Sequence, residues 1–353
     1  MNKEQTTTNI RKETKNKIRV DFERTPLLER LKAKFVNLYT LKKVGWYLFR
    51  FLLLLGISYV ILFPFFSKIS SSFMSPEDLV DVTVRLVPKH PTLDTYAAII
   101  KYNGYFTGLL NTFVLSLVCA LLQTFVCCFI AYGFAKFKFK GNGLLFLLVI
   151  FTMVVPHTTL QLSMFMKFKY FDVLGIMKLL GGGVFDWLNI TGGATSFNLL
   201  NTNWPLWILS VTGLAYKNGL YIFMLRQFYR GIPDELEESA YLDGSGIFKT
   251  FFTIILPNSI TMLITVFMFS FCWQWTDNFY TDMFYTFTGP TLLPDIIKVP
   301  KALNTAACAS PEMYTAAIKN ACGILIVAPL IVLYLFGQKY IVQGIERSGL
   351  TAD

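Results

Sequence analysis

Long stretches of apolar residues dominate the pattern of hydrophobic and polar positions along this 353-residue chain. About twenty consecutive apolar residues in an α-helix are enough to cross the hydrocarbon core of a bilayer. Six stretches meet this criterion, at approximately residues 47–66, 109–132, 144–165, 205–228, 260–280 and 317–337. The pattern therefore predicts an all-α, polytopic membrane protein with six transmembrane helices.

The overall composition agrees with a membrane location. Hydrophobic residues make up 54% of the chain and charged residues only 15%, whereas a soluble domain has about 25% charged residues. The cysteines show no metal-binding spacing, and His90 and His157 are far apart in the sequence. The phosphate-binding pattern G-x-x-x-x-G-K-[ST] does not occur. We therefore expect no catalytic residue, metal site or bound cofactor in this chain.

Basic residues are concentrated before the first stretch, where residues 1–50 hold 13 Lys and Arg but only 5 Asp and Glu. More basic residues close or follow the second, fourth and sixth stretches: Lys136, Lys138, Lys140, Arg226, Arg230, Lys339 and Arg347. Loops rich in Lys and Arg stay in the cytoplasm. We expect both termini and the loop at 228–259 to be cytoplasmic. Nucleic-acid binding is disfavoured, because the basic block lacks a base-reading motif.

Three parts of the chain differ in character. Residues 1–45 form a basic tail, residues 46–348 a transmembrane domain, and residues 349–353 a short C-terminal tail. Within the first part, apolar residues between Leu27 and Leu38 recur at helical spacing, which is typical of a helix lying on the inner leaflet. A disordered basic arm is the alternative there. Residues 175–200 are glycine-rich and form an external insertion.

The cytoplasmic segment between the fourth and fifth stretches carries the most specific pattern. Pro233 stands near the first turn of a short predicted helix, where its missing N–H costs nothing. The acidic residues that follow it stabilise the positive end of the helix dipole. Leu236 and Ala240 share one face at a spacing of four residues. Gly244 and Gly246 are then expected to end the helix.

A second amphipathic helix is predicted directly afterwards. Phe248, Phe251, Phe252 and Ile255 recur at helical spacing, and Pro257 ends the pattern before the fifth stretch. Two short helices that meet at glycines, each joined to a membrane helix, are suited to transmit force from a cytoplasmic partner.

This segment resembles the EAA loop of binding-protein-dependent ABC importer permeases, whose core reads roughly E-A-A-x-x-D-G-A, followed by a hydrophobic run and L-P. The residues that match are Glu238, Ala240, Asp243, Gly244, Leu256 and Pro257, with Ser239 and Ser245 in place of alanine. An ordinary interhelical turn with a glycine C-cap is the alternative explanation of the loop alone.

Other stretches resemble the carbohydrate branch of these permeases, in particular the maltose-type second permease subunit. The matching positions are residues 91–96, 111–112, 131–132, 137–141, Pro156, Gln161, 201–202, 225–228 and 275–279. The resemblance covers about residues 45–348. It implies the type I importer permease fold.

In that family the loop docks into a cleft on a separate ATPase subunit, and the resemblance implies this role for residues 231–257. The implied ATPase-coupling residues are Pro233, Leu236, Glu238, Ser239, Ala240, Asp243, Gly244 and Phe248. The implied partners are a homologous second permease subunit, two ATPase subunits that bind ATP and Mg, and an extracellular solute-binding protein that delivers a sugar or oligosaccharide. The implied location is the cytoplasmic membrane of a bacterial-type cell.

Two groups of residues are candidates for contact with substrate. Aromatic and polar side chains alternate at the outer end of the fifth stretch: Trp273, Gln274, Trp275, Asp277 and Asn278. This mixture suits a sugar, although an interfacial aromatic belt has the same composition. Lys217 and Asn218 stand mid-way along the fourth stretch, where a charge is costly. Lys217 either contacts the translocation path, or snorkels or lies at an interface.

Three other functions compete with sugar import. The first is import of another small polar solute by the same kind of machine. The second is ion-coupled secondary transport, but such carriers usually need intramembrane carboxylates, which the hydrocarbon depth of the six stretches lacks. The third is a membrane-embedded enzyme, for which no catalytic constellation is recognisable.

Overall fold

The computed structural model describes residues 38–172, 196–215, 217–286 and 289–347. The basic tail before Leu38, most of the 175–200 insertion and the C-terminal tail lie outside these ranges. Among the described residues, helices dominate and the only β-type pairings are two isolated bridges. The predicted all-α class is therefore confirmed.

The chain divides into two units, Met1–Phe66 and Ser67–Asp353. In the first unit the described residues belong to one long helix, α1 (Leu38–Ser72), which continues into the second unit. It carries apolar residues on all sides, as a helix in contact with lipid does.

The second unit contains the remaining helices. They are α2 (Pro76–Val80), α3 (Asp94–Tyr102), α4 (Tyr105–Lys136), α5 (Asn142–Val154), α6 (Gln161–Lys169), α7 (Trp204–Val211), α8 (Asn218–Arg230), α9 (Glu235–Leu242), α10 (Ile247–Thr250), α11 (Leu256–Asn258), α12 (Ile260–Trp275), α13 (Phe279–Phe284) and α14 (Pro311–Arg347). A π-helical turn, Phe251–Ile255, joins α10 to α11. Short 3-10 helices cover His157–Leu160, Leu293–Ile296 and Thr305–Ala307.

Helix α4 is the centre of this unit, since it packs against α7, α8 and α12, and α12 in turn packs against α14. Small side chains allow the close approach. Cys119, Cys127 and Cys128 on α4 are buried, as is Cys322 on α14. These four cysteines therefore serve as small core residues.

Three of the six apolar stretches are interrupted. The fifth ends as α12 at Trp275, and α13 begins at Phe279. The third bends by 93° after α5, where Pro156 and a 3-10 turn precede α6. The fourth is split into α7 and α8, so the prediction of one continuous helix over 205–228 is wrong. Leu214 and Ala215 both donate their N–H to the Leu209 carbonyl, and Gly213 adopts a positive φ of 74°. This geometry ends α7 and leaves Lys217 in the connection to α8.

Three described helices are long and apolar enough to cross a membrane: Lys42–Ser72, Tyr105–Lys136 and Pro311–Gly344. The number rises to five if each of two bent pairs forms one span. These pairs are Asn142–Val154 with His157–Lys169, and Ile247–Asn258 with Ile260–Trp275. The split fourth stretch is not among them.

The contact between α12 and α14 depends on a glycine. A Cβ atom added to Gly344 would lie 2.2 Å from Thr265 Oγ1 and 3.1 Å from the Thr261 carbonyl oxygen. Thr265 is fixed by hydrogen bonds to the carbonyls of Thr261 and Tyr340, so it has little freedom to move aside. Gly323 on the same helix has open space at this position.

Replacing Gly344 with Val should therefore push the two helices apart and lower the stability of the folded protein by about 1–3 kcal/mol. Gly323→Val is the matched control, with the same helix-propensity cost. Thermal unfolding in detergent measures both variants, and equal melting temperatures for the two would contradict this packing.

Candidate functional site

The 231–257 loop contains a well-formed turn between α9 and α10. Ser245 N–H donates to the Ala240 carbonyl at 2.9 Å, and Gly244 N–H donates to the Tyr241 carbonyl at 3.0 Å. These two bonds define a Schellman motif, in which the residue at Gly244 must be left-handed. Gly244 has a φ of 78° and confirms the predicted helix end.

Gly246 does not share this role. Its φ of −75° and ψ of 166° are ordinary extended values, and it is the residue directly before α10. The prediction that both glycines break the helix is therefore correct for Gly244 and wrong for Gly246.

The coupling residues expected from the sequence include both buried and exposed side chains. Ala240 is buried, whereas Leu236 on the same predicted face is 43% exposed. Pro233, Glu238, Ser239, Asp243 and Gly244 are exposed. The most exposed apolar side chains of the loop flank the turn: Leu242 at 89% and Phe248 at 74%.

Together with the half-exposed Ile247, these two side chains form an apolar surface at the tip of the loop. We call Leu242, Ile247 and Phe248 the tip surface. Leu242 and Ile247 were missed by the sequence analysis. Their apolar character beside an Asp-Gly turn was the available signal.

Lys136, the last residue of α4, ties the loop to the membrane helices. Its Nζ donates to Asp234 Oδ1 at 2.6 Å and to the Ile232 carbonyl at 2.6 Å, and lies 3.9 Å from Glu237 Oε1. The Lys136 side chain is only 5% exposed. We call Lys136 with Ile232, Asp234 and Glu237 the basal contact. The sequence analysis used Lys136 only as an orientation signal.

The two carboxyl groups of the basal contact have pKa values that are shifted in opposite directions. The hydrogen bond from Lys136 holds the pKa of the exposed Asp234 carboxyl below its usual value. Burial raises the pKa of Glu237, the Lys136 charge opposes this rise, and the Asp234 charge adds to it. Glu237 Oε1 has no hydrogen-bond partner among the described residues. Lys136 is therefore the group that lowers the pKa of Glu237 and favours its charged form.

A second group of polar side chains lines a cavity of about 20 Å³ between α4, α7, α8 and α12. Four predicted substrate-path residues meet here: Lys217, Trp273, Gln274 and Asp277. Lys217 Nζ lies 4.4 Å from the centroid of the Trp273 ring. A volume of this order holds one water molecule and no sugar.

The other three predicted residues do not line this cavity. Trp275 is buried against Phe271, and its indole N–H donates to the Ile326 carbonyl at 3.0 Å. Asn218 is fully buried, and its side-chain amide has no hydrogen-bond partner among the described residues. Asn278 is exposed at the start of α13.

Asp277 is also fixed by the backbone. Its Oδ2 accepts hydrogen bonds from the N–H groups of Tyr280 at 3.2 Å and Thr281 at 3.0 Å. These contacts satisfy the first turn of α13. The carboxylate therefore faces the cavity while holding the segment that follows α12.

A buried polar chain that the sequence analysis missed crosses the same region. Ser270 Oγ donates to Gln123 Oε1 at 2.8 Å, and Gln123 Nε2 donates to Ser210 Oγ at 3.2 Å. Ser210 Oγ in turn donates to the Leu206 carbonyl at 2.7 Å. This chain joins α12, α4 and α7 beside the cavity. Gln123 within an otherwise apolar stretch was the available signal.

Residues 123–347 match the family model described as "Binding-protein-dependent transport system inner membrane component". The chain belongs to this family. It is a permease component of an ABC transporter in the bacterial cytoplasmic membrane, a transport subunit and not an enzyme. Both the loop and all the residues that line the polar cavity lie in the matched region.

Curated relatives match nearly the full permease. The inner membrane ABC transporter permease protein YcjP of Escherichia coli is 25% identical over 89% of this chain and 98% of its own length. The galactooligosaccharides transport system permease protein GanQ of Bacillus subtilis is 25% identical over 86% and 94%.

A solved bacterial ABC transporter "involved in the import of the acidic polysaccharide alginate" contains a chain of the same fold. Its TM-score is 0.61 at 17% identity, with 85% of this chain and 97% of that chain covered. The permease therefore has the ABC importer permease fold.

The basal contact of this permease gives a prediction that depends on pH. Lys136→Met removes the cation that opposes the raised pKa of Glu237, so this pKa rises further. A carboxyl whose folded pKa is raised favours the folded state at low pH and loses that contribution as pH rises through the folded pKa. The Lys136→Met variant should therefore lose about 1–3 kcal/mol of unfolding free energy relative to the wild type at neutral and higher pH. The loss should be smaller at low pH.

Melting temperatures between pH 5 and 8 measure this effect. Lys249→Met, at an exposed lysine of the same loop, is the matched control. Adding Glu237→Gln to Lys136→Met should recover much of the loss at neutral pH. A deficit that does not change with pH would refute the electrostatic explanation.

Proposed function

We propose that this permease translocates a sugar or oligosaccharide that an external solute-binding protein delivers. Separate ATPase subunits supply the energy through the 231–257 loop. The substrate class is supported by the relatives, of which several are named for oligosaccharide or glucoside transport. Import of another small polar solute is the second candidate, since the cavity residues would also suit other hydroxyl-bearing molecules.

The proposed topology has six spans with both termini and the loop in the cytoplasm. The charge bias of the sequence supports this orientation. The fourth of these spans would be the split pair α7 and α8, with its backbone break lining a path through protein rather than lipid. Irregular backbone at membrane depth is tolerated in such a setting.

The proposal that the loop couples to the ATPase rests on the exposed tip surface. Leu242 and Phe248 are large, apolar and almost fully exposed, which is costly unless a partner covers them. The Schellman turn fixes their spacing and the basal contact fixes the loop to α4. A cleft on an ATPase subunit is the proposed occupant. Movement of this cleft during ATP hydrolysis would then pull on α4 and α12 together.

The closed cavity supports an alternating-access cycle. In the described state the cavity that Lys217 and Trp273 share is too small for a sugar, whereas Lys217 also lines a separate cavity of about 1120 Å³ beside α5 and α6. We propose that α4, α7, α8 and α12 separate when the loop moves, and that a homologous second permease subunit completes the path. Lys217, Trp273, Gln274 and Asp277 would then contact the substrate. Trp275 would contribute to packing, and Asn218 and Asn278 would lie nearby.

The coupling proposal predicts different effects for the two glycines of the turn. Gly244→Val places a β-branched residue in a left-handed conformation, so the turn must rearrange. Gly246→Val is the matched control, because its backbone is ordinary and open space surrounds an added Cβ.

In proteoliposomes containing the complete transporter, Gly244→Val should lower ATP-driven uptake by tenfold or more, and Gly246→Val should keep it near the wild-type rate. Co-purification of the ATPase shows whether docking is weakened. If the Gly244→Val transporter assembles and imports substrate at the wild-type rate, the proposed role of the turn is wrong.

The substrate-path proposal gives a second test. Lys217→Met should change uptake several-fold without reducing the amount of assembled complex, because Lys217 lines the cavity and lies over Trp273. Lys301→Met, at an exposed lysine outside the cavity, is the control. Equal uptake per assembled complex in both variants would exclude Lys217 from the path.

A further inference from the structure

A second cavity, of about 630 Å³, lies where α4 ends, α5 begins and α8 ends. Four cationic side chains line it: Lys138, Lys140, Arg226 and Arg230. None of its described lining residues is Asp or Glu. Asp234 is paired with Lys136 and also interacts electrostatically with Lys138, so it offsets part of this charge. Among the described residues, the positive charge of the cavity is therefore offset only in part.

The arginines are held in place despite their like charge. The Arg226 guanidinium lies 3.8 Å from the centroid of the Phe146 ring, and its Nε donates to the Phe134 carbonyl at 3.4 Å. Arg230 follows one helical turn later, at a spacing that makes two cations repel. An anion between them would remove this repulsion. Lys138 and Lys140 are exposed and free to approach it.

The amino-terminal end of α5 adds to the positive potential. Gly141 precedes this 13-residue helix and offers no side-chain cap. The Asn142 side chain donates instead to the Phe134 and Phe137 carbonyls, so it holds the preceding turn. Asn142 and Gly143 both line the cavity. Unpaired N–H groups and the helix dipole at such an end favour an anionic ligand.

The surface next to the cavity is apolar. No residue of α5 is buried, and Leu144, Leu145, Leu147 and Leu148 are each about half exposed. A cationic cavity continuous with an apolar helix suits a molecule with an anionic head and hydrocarbon tails. Basic pockets between membrane helices on the cytoplasmic side bind such head groups.

We propose that this cavity binds the phosphate head group of an anionic phospholipid, with its acyl chains along α5. The inference rests on the proposed orientation, which places the cavity at the inner leaflet. Because Lys136 of the basal contact directly precedes the turn that carries Lys138 and Lys140, a bound lipid would order the connection between α4 and α5. A free phosphate shares the head-group chemistry but lacks the tails.

Native mass spectrometry of the purified, assembled transporter in detergent tests the site. The probes are phosphatidylglycerol, phosphatidylcholine with the same acyl chains, and inorganic phosphate. The variant Lys138→Gln/Lys140→Gln should bind phosphatidylglycerol about 30-fold more weakly. The control Lys298→Gln/Lys301→Gln removes the same charge from two exposed lysines elsewhere and should bind like the wild type. Phosphatidylcholine should bind the wild type weakly.

Several results would overturn the proposal. They are equal loss in both double variants, equal binding of the two lipids, and binding of inorganic phosphate as tight as that of phosphatidylglycerol. Cross-linking of Lys140→Cys to the ATPase instead of to lipid would assign the cavity to a protein contact. Normal lipid binding with failed uptake would count against the proposed function and leave this site standing.

Discussion

The contact of Lys136 with the 231–257 loop is the interaction on which the rest of the structure depends. A charged side chain that is 5% exposed needs close partners, and Asp234 and the Ile232 carbonyl, both at 2.6 Å, provide them. The contact joins the end of the central helix α4 to the start of α9. Without it, the loop would be attached to the membrane helices only through its two covalent ends.

Helix α4 connects the Lys136 contact to the other helices of the second unit. Its neighbours α7, α8 and α12 contact it through small buried side chains and through the polar chain of Gln123, Ser210 and Ser270. A displacement at Lys136 therefore reaches the polar cavity through packed helices. The basic cavity lies beside the same junction, so lipid charge and ATPase movement would act on one short region.

The features that could be predicted from the sequence are those that depend on residues close to one another in the chain. Glycine and capping preferences located the turn at Gly244, because a Schellman motif involves only residues near it in the chain. The Lys136–Asp234 contact joins residues 98 positions apart, and no local pattern reports such a distance. The break in the fourth stretch was missed because apolar residues lie on both sides of it, while the bonds to the Leu209 carbonyl depend on packing. Trp275 looked like a sugar contact because the pattern does not distinguish a core indole from an exposed one.

The central claim is that the loop and the end of α4 move as one body during ATP hydrolysis. It is tested by electron–electron distance measurements between spin labels at Lys249 and at Lys138, which lies just after the end of α4, in the assembled transporter with and without ATP; both positions are exposed. The account predicts that this distance stays constant, while the distance from Lys249 to a label at Lys301 changes. A change in the first distance would mean that the loop moves without the end of α4, and would contradict the account.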